Sequence, residues 1–182
     1  MLSAAEAKEV LAAADLICPE EEVAAAVRRV AQEVERALGD ACPLVLGVMG
    51  GAVVFTGQLL PLLRFPLHFD YVHVTRYGSS TAGGEVRWIA APRQSVAGRT
   101  LLVVDDILDE GITLAAIKRQ LLELGAASVY TAVFADKQIG REKPIAADFV
   151  GVKLPNRYVF GFGMDVSGAW RNLPAIYAVK GM

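Results

Sequence analysis

Three aspartates and a glycine lie close together in one short stretch of this sequence. Residues 101–113 read LLVVDDILDEGIT, so four apolar residues lead directly into Asp105 and Asp106, and Asp109 follows three residues later. A carboxylate buried at the end of a strand costs free energy unless a positive partner meets it. The pattern therefore indicates a bound metal, a cationic substrate, or a neighbouring lysine or arginine.

The residues after the aspartates suit a different part of a ligand. Gly111 lets the backbone approach closely, and a helix predicted to begin near Thr113 offers unpaired N–H groups that favour a phosphate. The aspartates instead suit hydroxyl groups, Mg²⁺ or a proton. A ligand with both hydroxyls and a phosphate would satisfy the whole turn, while a solvated acidic turn is the alternative from spacing alone. No P-loop motif occurs.

The rest of the chain predicts an α/β scaffold for these residues. Continuous apolar runs alternate with helical patterns, which is typical of a mostly parallel sheet flanked by helices. We predict two helices in the first forty residues, further helices at 52–63 and near 113–124, and strands at 43–49, 67–77, 86–91, 100–106 and 128–135. Ligands bind at the carboxyl ends of such strands, where the aspartates lie.

Composition narrows the class of protein. The chain has 182 residues, 54% of them hydrophobic, and a formal net charge of -2. These values predict one globular domain and argue against a protein that binds nucleic acid through bulk positive charge. Cys18 and Cys42 belong to no metal or disulfide motif. With neither a signal-peptide pattern nor a membrane-length apolar run, we expect a cytoplasmic protein without a membrane partner.

The stretch LLVVDDILDEGITLAAI resembles the 5-phosphoribosyl 1-pyrophosphate motif of the type I phosphoribosyltransferases. Three further segments are similar to parts of the hypoxanthine-guanine phosphoribosyltransferases. The segment LVLGVMGGAVVFTGQLL resembles their first strand, loop and helix, and the segment DYVHVTRYGSSTAGGEVR resembles their mobile loop. Residues 147–174 resemble their purine-binding segment. The resemblance implies a type I phosphoribosyltransferase fold in a single domain, 1–182. Its core would span about 40–140, and a hood would come from the N-terminal helices and about 145–182.

The resemblance also implies a role for each matching residue. Asp109 would be the catalytic base that removes a proton from the purine. The other substrate-binding residues would be Asp105 and Asp106 for the ribose hydroxyls, Glu110, Gly111, Ile112 and Thr113 for the 5-phosphate, Lys137, Tyr158 and Val159 for the purine, Arg171 for pyrophosphate, Gly51 in the first loop, and Arg76 and Tyr77 in the mobile loop. Asp165, with Asp105 and Asp106, would bind Mg²⁺.

The activity implied by the resemblance is phosphoribosyl transfer in purine salvage. Phosphoribosyl pyrophosphate and a 6-oxopurine, hypoxanthine or guanine, would give IMP or GMP and pyrophosphate, in a homodimer or homotetramer with Mg²⁺ as cofactor. Two alternatives stay open. One is a nucleotide-sensing regulator that keeps this fold without catalysis, and the other is the same chemistry on xanthine or adenine.

Three positions depart from the family pattern. Gly50 stands where the family usually has lysine, Arg76 where it has serine, and Glu110 where it has a hydroxyl residue. A carboxylate facing a phosphate is repulsive, so we expect the Glu110 side chain to point away from it. We also expect Arg76 to replace the missing cation, because a guanidinium can bind phosphate oxygens in a bidentate manner.

Overall fold

Helices and strands alternate along most of the chain, as the sequence predicts. The computed structural model describes residues 1–76 and 86–181. The helices are α1 Ala4–Ala13, α2 Glu20–Leu38, α3 Val53–Leu59 and α4 Ile112–Glu123. The strands are β1 Asp15–Cys18, β2 Leu44–Met49, β3 His68–Arg76, β4 Val86–Ala90, β5 Thr100–Leu108, β6 Ser128–Gln138, β7 Phe149–Pro155, β8 Val159–Phe160 and β9 Ile176–Ala178.

Six strands form the large sheet, in the order β4-β3-β2-β5-β6-β7. The pairs from β3 to β7 are parallel, and only β4 runs antiparallel to its neighbour β3. The predicted mostly parallel sheet is confirmed. Strand β5, which carries Asp105 and Asp106, therefore lies in the interior of the sheet between β2 and β6.

Helices cover the sheet on both faces. The second helix has an apolar stripe that is buried against one face of the sheet together with Phe55 of α3. This stripe consists of Val23, Val27, Val30, Val34 and Leu38. On the other face, Leu114, Ile117 and Leu121 of α4 pack against alternate residues of β2 and β5. The alternation of side chains along each strand supplies both faces with apolar groups, which is why these strands read as continuous apolar runs.

Two strands extend further than the sequence predicts. The pattern places the end of one strand at Asp106 and of another at Ala135, but β5 reaches Leu108 and β6 reaches Gln138. The parallel ladder continues through the pairs Ile107–Ala135 and Leu108–Asp136. Backbone hydrogen bonds across the sheet thus outweigh the low strand preference of the aspartates. The two carboxylates lie within the strand, as predicted, but they are not its last residues.

A small antiparallel sheet joins the two ends of the chain, in the order β1-β9-β8. The sequence predicts none of the three strands of this sheet, of which β1 has four residues, and it does not predict β7 of the large sheet either. Of the two N-terminal helices that were expected in the hood, α2 packs instead on the large sheet, against β7. Helix α1 begins with a capping box formed by Ser3 and Glu6. Among the described residues, no helix is long and apolar enough to cross a membrane.

Candidate active site

Asp105 and Asp106 form a pair of partly buried carboxylates at the carboxyl end of β5. The backbone N–H of Asp106 donates to Oδ1 of Asp105 at 2.9 Å, and the N–H of Ile107 donates to Oδ1 of Asp106 at 2.8 Å. Burial, and then the neighbouring charge of Asp106, raise the pKa of Asp105 well above its ordinary value. Burial also raises the pKa of Asp106, and the positive charge of Arg171 opposes that rise.

Two glycines bring the backbone against the Asp106 carboxyl group. A β-carbon placed on Gly51 would lie within 3.0 Å of all three carboxyl atoms of Asp106. On its other side, the carbonyl group of Gly51 packs against Gly163, where a β-carbon would overlap with it. Three segments distant in sequence therefore meet at Asp106, and the Met49–Gly50 peptide of the first loop is cis. Alanine fits at neither glycine without displacing its neighbours.

A tight turn connects the aspartates to helix α4. Gly111 adopts a left-handed conformation with φ of 81° and immediately precedes the helix, which begins at Ile112. The first helical hydrogen bond runs from the N–H of Ala115 to the carbonyl of Gly111 at 3.0 Å. The backbone from Glu110 to Thr113 therefore forms the amino end of a twelve-residue helix. This geometry suits an anion such as a phosphate.

Asp109 and Lys137 come together where β5 and β6 end. The Lys137 ammonium donates to Oδ2 of Asp109 at 3.3 Å, and the Lys137 side chain is only 14% exposed, whereas that of Asp109 is 47% exposed. These residues are 28 positions apart in the sequence, and the pairing of Leu108 with Asp136 places them side by side. An accessible carboxylate beside a buried cation can accept a proton and donate a hydrogen bond at neighbouring points.

A cavity of about 200 Å³ collects six of the predicted residues. Its walls are formed by Asp106, Ile107, Asp109, Lys137, Tyr158, Val159, Met164 and Asp165. Tyr158 is half-exposed, and Val159 is buried in β8 of the small antiparallel sheet. Ile107 and Met164 were not predicted, because an apolar residue beside a charged motif carries no chemical signal of its own.

Asp165 and Arg171 form one hydrogen-bonded group beside this cavity. The Arg171 guanidinium pairs with Oδ1 of Asp165 at 2.5 Å and donates to the carbonyl of Gly163 at 2.7 Å. The other carboxylate oxygen of Asp165 accepts the N–H of Gly168 at 2.7 Å. The arginine is thus tied to the segment that packs on Gly51, and its charge lies close enough to Asp106 to affect that residue's pKa.

The chain as a whole is similar to a known family. The family model of the phosphoribosyl transferase domain matches residues 15–167. The hypoxanthine-guanine phosphoribosyltransferase of Bacillus subtilis (strain 168) is 36% identical over 166 residues, which are 91% of this chain and 92% of the relative. The chain belongs to the hypoxanthine-guanine phosphoribosyltransferase family.

Other hypoxanthine and hypoxanthine-guanine phosphoribosyltransferases are also similar to this chain in sequence or in structure. The one from Lactococcus lactis subsp. lactis is 39% identical over 139 residues, covering 76% of this chain and 75% of its own. The solved hypoxanthine phosphoribosyltransferase of Trypanosoma cruzi, in a ternary complex with its substrates, has a TM-score of 0.86 at 30% identity and covers 93% of this chain and 97% of its own. A Staphylococcus aureus hypoxanthine phosphoribosyltransferase has a TM-score of 0.85 at 27% identity, covering 91% of each chain.

Two of the three departures from the hypoxanthine-guanine phosphoribosyltransferase pattern lie in the described part of the chain. A β-carbon on Gly50 would meet nothing within 4 Å. The carboxylate of Glu110 pairs with the guanidinium of Arg141 at 2.5 Å, so the extra anion has a cationic partner that the sequence analysis did not single out. Tyr77 and the side chain of Arg76 fall outside the described residues, and the compensating role of Arg76 stays a prediction.

Proposed function

We propose that this enzyme transfers the 5-phosphoribosyl group of phosphoribosyl pyrophosphate to hypoxanthine or guanine, giving IMP or GMP and pyrophosphate in purine salvage. The observation that carries this proposal is the cavity that places Asp109, Lys137 and Tyr158 beside Asp106. A base, a hydrogen-bond donor and an aromatic ring are what a flat heterocycle with an acidic N–H and an exocyclic carbonyl oxygen requires. The names of the relatives support the same substrates.

The purine would be recognised by groups on three elements. Lys137 would donate to the 6-oxygen, because an ammonium has three donors and can keep Asp109 while it donates to a ligand. A 6-amino group presents donors in that place and gives Lys137 nothing to bind. The ring of Tyr158 would stack on the purine, the backbone of Val159 would contact the base edge, and Asp109 would take the imidazole proton as the new bond to the ribose forms.

The phosphoribosyl half would bind on the other side of Asp106. The turn at Gly111 and the first residues of α4 would hold the 5-phosphate, and Asp105 and Asp106 would orient the ribose hydroxyls. Arg171 would stabilise the charge that develops on the leaving pyrophosphate. Because its guanidinium already bonds Asp165 and Gly163, this charge is fixed in place before the reaction.

The donor set fits Mg²⁺ shared with the substrate rather than a metal held by the protein alone. Among the described residues, no group of three histidine, cysteine or acidic side chains could hold a metal ion. Mg²⁺ commonly takes only one or two protein carboxylates and completes its shell with water and substrate phosphates. Asp105, Asp106 and Asp165 supply such oxygens. When bound, the ion would neutralise charge on the pyrophosphate.

We also propose that the enzyme is cytoplasmic and assembles as a homodimer or homotetramer. The exposed side chains of Phe69 and Tyr71 on β3 and Ile89 on β4 place apolar surface at one edge of the large sheet, which supports self-association. Cys18 and Cys42 are both free thiols, as suits a reducing compartment. Sedimentation velocity measures the assembly, and cell fractionation measures the location.

Pyrophosphate release with four purines tests the proposed activity. Hypoxanthine, guanine, xanthine and adenine are supplied singly with phosphoribosyl pyrophosphate and saturating Mg²⁺, and each is repeated with EDTA. We expect Mg²⁺-dependent release with hypoxanthine or guanine and little with adenine. Release of pyrophosphate with xanthine alone would show that xanthine, rather than hypoxanthine or guanine, is the purine substrate. The absence of release with every purine would contradict the proposal and favour the regulator.

A further inference from the structure

Lys143 connects the two strands that carry the purine-facing pair. Its side chain is only 12% exposed, and its ammonium makes two hydrogen bonds of 2.6 Å. One acceptor is Oδ1 of Asp136 and the other is the carbonyl oxygen of Leu108. Each acceptor belongs to the residue immediately before a member of the pair, because Asp109 follows Leu108 and Lys137 follows Asp136.

The two hydrogen bonds lie where the pairing between β5 and β6 stops. Leu108 and Asp136 are the last partners in that ladder, and Lys137 next to them is in register with Leu154 of β7. Beyond this point, the direct link between the strands is the 3.3 Å contact of Lys137 with Asp109, whose side chain is half-exposed. Two short bonds to a buried ammonium are the stronger constraint on the separation of the pair.

The segment that contains Lys143 runs from β6 back past the phosphate turn before it enters β7. Arg141 in this segment pairs with Glu110, and Pro144 and Ile145 lie against Gly111. The segment is therefore attached to the turn on both sides of Lys143. These contacts place the ammonium between the two strand ends and keep it there.

We propose that Lys143 is a positioning residue for Asp109 and Lys137. It lines no part of the cavity that holds them, and acts by holding Leu108 and Asp136 at a constant separation. The inference rests on the proposed function, in which Asp109 takes the imidazole proton while Lys137 donates to the 6-oxygen. Both contacts need the pair at one spacing, and a misplacement of about 1 Å can cost about 100-fold in rate.

Three variants separate positioning from stability. Lys143→Met removes the ammonium and keeps most of the side-chain volume, but leaves Asp136 without this partner. Lys143→Met with Asp136→Asn removes the connection without leaving a buried charge, and so provides a folded test if the single variant is unstable. The matched control is Lys118→Met, which removes a lysine from a 3.8 Å ion pair with Asp148. Lys118 does not line the cavity that holds Asp109 and Lys137.

Steady-state kinetics and ligand binding give the readouts. In both Lys143 variants we expect kcat/KM for the purine to fall about 10- to 100-fold, with KM for phosphoribosyl pyrophosphate within about threefold of wild type. By calorimetry, GMP affinity should fall by a similar factor while ribose 5-phosphate affinity stays the same. Lys118→Met should match wild type in every measurement.

Several results would overturn the inference. Recovery of purine kcat/KM in the double variant would leave Lys143 with a purely structural role, and so would equal losses for both substrates. The binding measurements with GMP and ribose 5-phosphate keep the test of Lys143 separate from the test of the proposed activity. If the wild-type protein turns over no purine, the proposed function fails. If GMP and ribose 5-phosphate then respond equally to Lys143→Met, or do not bind, the positioning role fails as well.

Discussion

Gly51→Ala should damage the active site through Asp106, although glycine itself has no reactive group. The added β-carbon would lie within 3.0 Å of all three carboxyl atoms of Asp106, a distance that real β-carbons essentially never show. The backbone of Gly51 cannot retreat, because its carbonyl group already packs against Gly163. The Asp106 carboxyl group must therefore move, away from the place where it would hold the ribose.

The overlap sets the size of the effect. The nearest carboxylate oxygen would lie 1.9 Å from the added β-carbon, so restoring an ordinary contact requires a shift of about 1.5 Å. A misplacement of only about 1 Å already costs about 100-fold in rate. A 100-fold loss in kcat/KM corresponds to about 2.7 kcal/mol of transition-state stabilisation. The overpacking should also lower the free energy of unfolding by about 1–3 kcal/mol. Each 1 kcal/mol lowers Tm by about 2–4 °C in a chain of this size.

The neighbouring glycine supplies the control. Gly50→Ala adds the same methyl group to the same loop, where nothing lies within 4 Å, so its kinetics should stay close to wild type. Pyrophosphate release at varied phosphoribosyl pyrophosphate gives kcat/KM, and calorimetric melting gives Tm. If Gly51→Ala stays within about threefold of Gly50→Ala in kcat/KM, the placement of Asp106 does not limit the reaction and the reasoning is wrong.

Three further predictions concern the charged residues. Asp109→Asn should lower kcat about 10²–10⁴-fold with smaller changes in substrate affinity, because a base acts in the transition state, and a variant that keeps most of its kcat would exclude the base role. Burial raises the pKa of Asp105, so the folded state holds its proton to higher pH than the unfolded state. With EDTA present, the free energy of unfolding should then fall as pH rises from about 4 through the raised pKa. Urea denaturation should show a flatter pH profile for Asp105→Asn, and equal profiles would contradict this. Arg141→Met should raise KM for phosphoribosyl pyrophosphate because Glu110 loses its 2.5 Å partner. Adding Glu110→Thr should bring this KM back to the wild-type value. A double variant whose KM stays raised would contradict the pairing of Arg141 with Glu110.

The parts of the fold that the sequence predicts are those with a local pattern. The apolar stripe of α2 repeats with helical spacing, and β2 is a continuous apolar run, so both are visible without knowledge of their partners. Strand β1 has four residues with two exposed side chains, and only its pairing with β9 makes it a strand. The end of β5 escapes prediction for the same reason, since β6 supplies its last hydrogen bonds.

In the candidate site too, the sequence predicts the residues that belong to a local pattern and misses those that do not. Asp105, Asp109 and Gly111 belong to one short motif in which acids follow an apolar run and glycine precedes a helix. Arg141 and Lys143 carry no such signal, because the segment IGREKPI reads as a polar loop. Glu110, the partner of Arg141, is 31 positions earlier in the chain, and Leu108, a partner of Lys143, is 35 positions earlier. Contacts over such separations produce no periodic pattern in the sequence. The return of this segment to β5 gives Arg141 its contact with Glu110 and Lys143 its contact with Leu108, whereas the other acceptor of Lys143, Asp136, lies on β6.

The small sheet has a consequence for the order in which the enzyme is made. In the described part of the chain, β1 pairs with β9, and β8, which carries Val159 of the cavity, pairs with β9 too. Synthesis reaches residue 178 long after the turn at Gly111, so a growing chain can complete its phosphate turn while β1 still has no partner. Domains generally fold as units during synthesis. We therefore expect the nascent chain to bind a purine only after β9 has left the ribosome, because the β8 strand of Val159 pairs with β9.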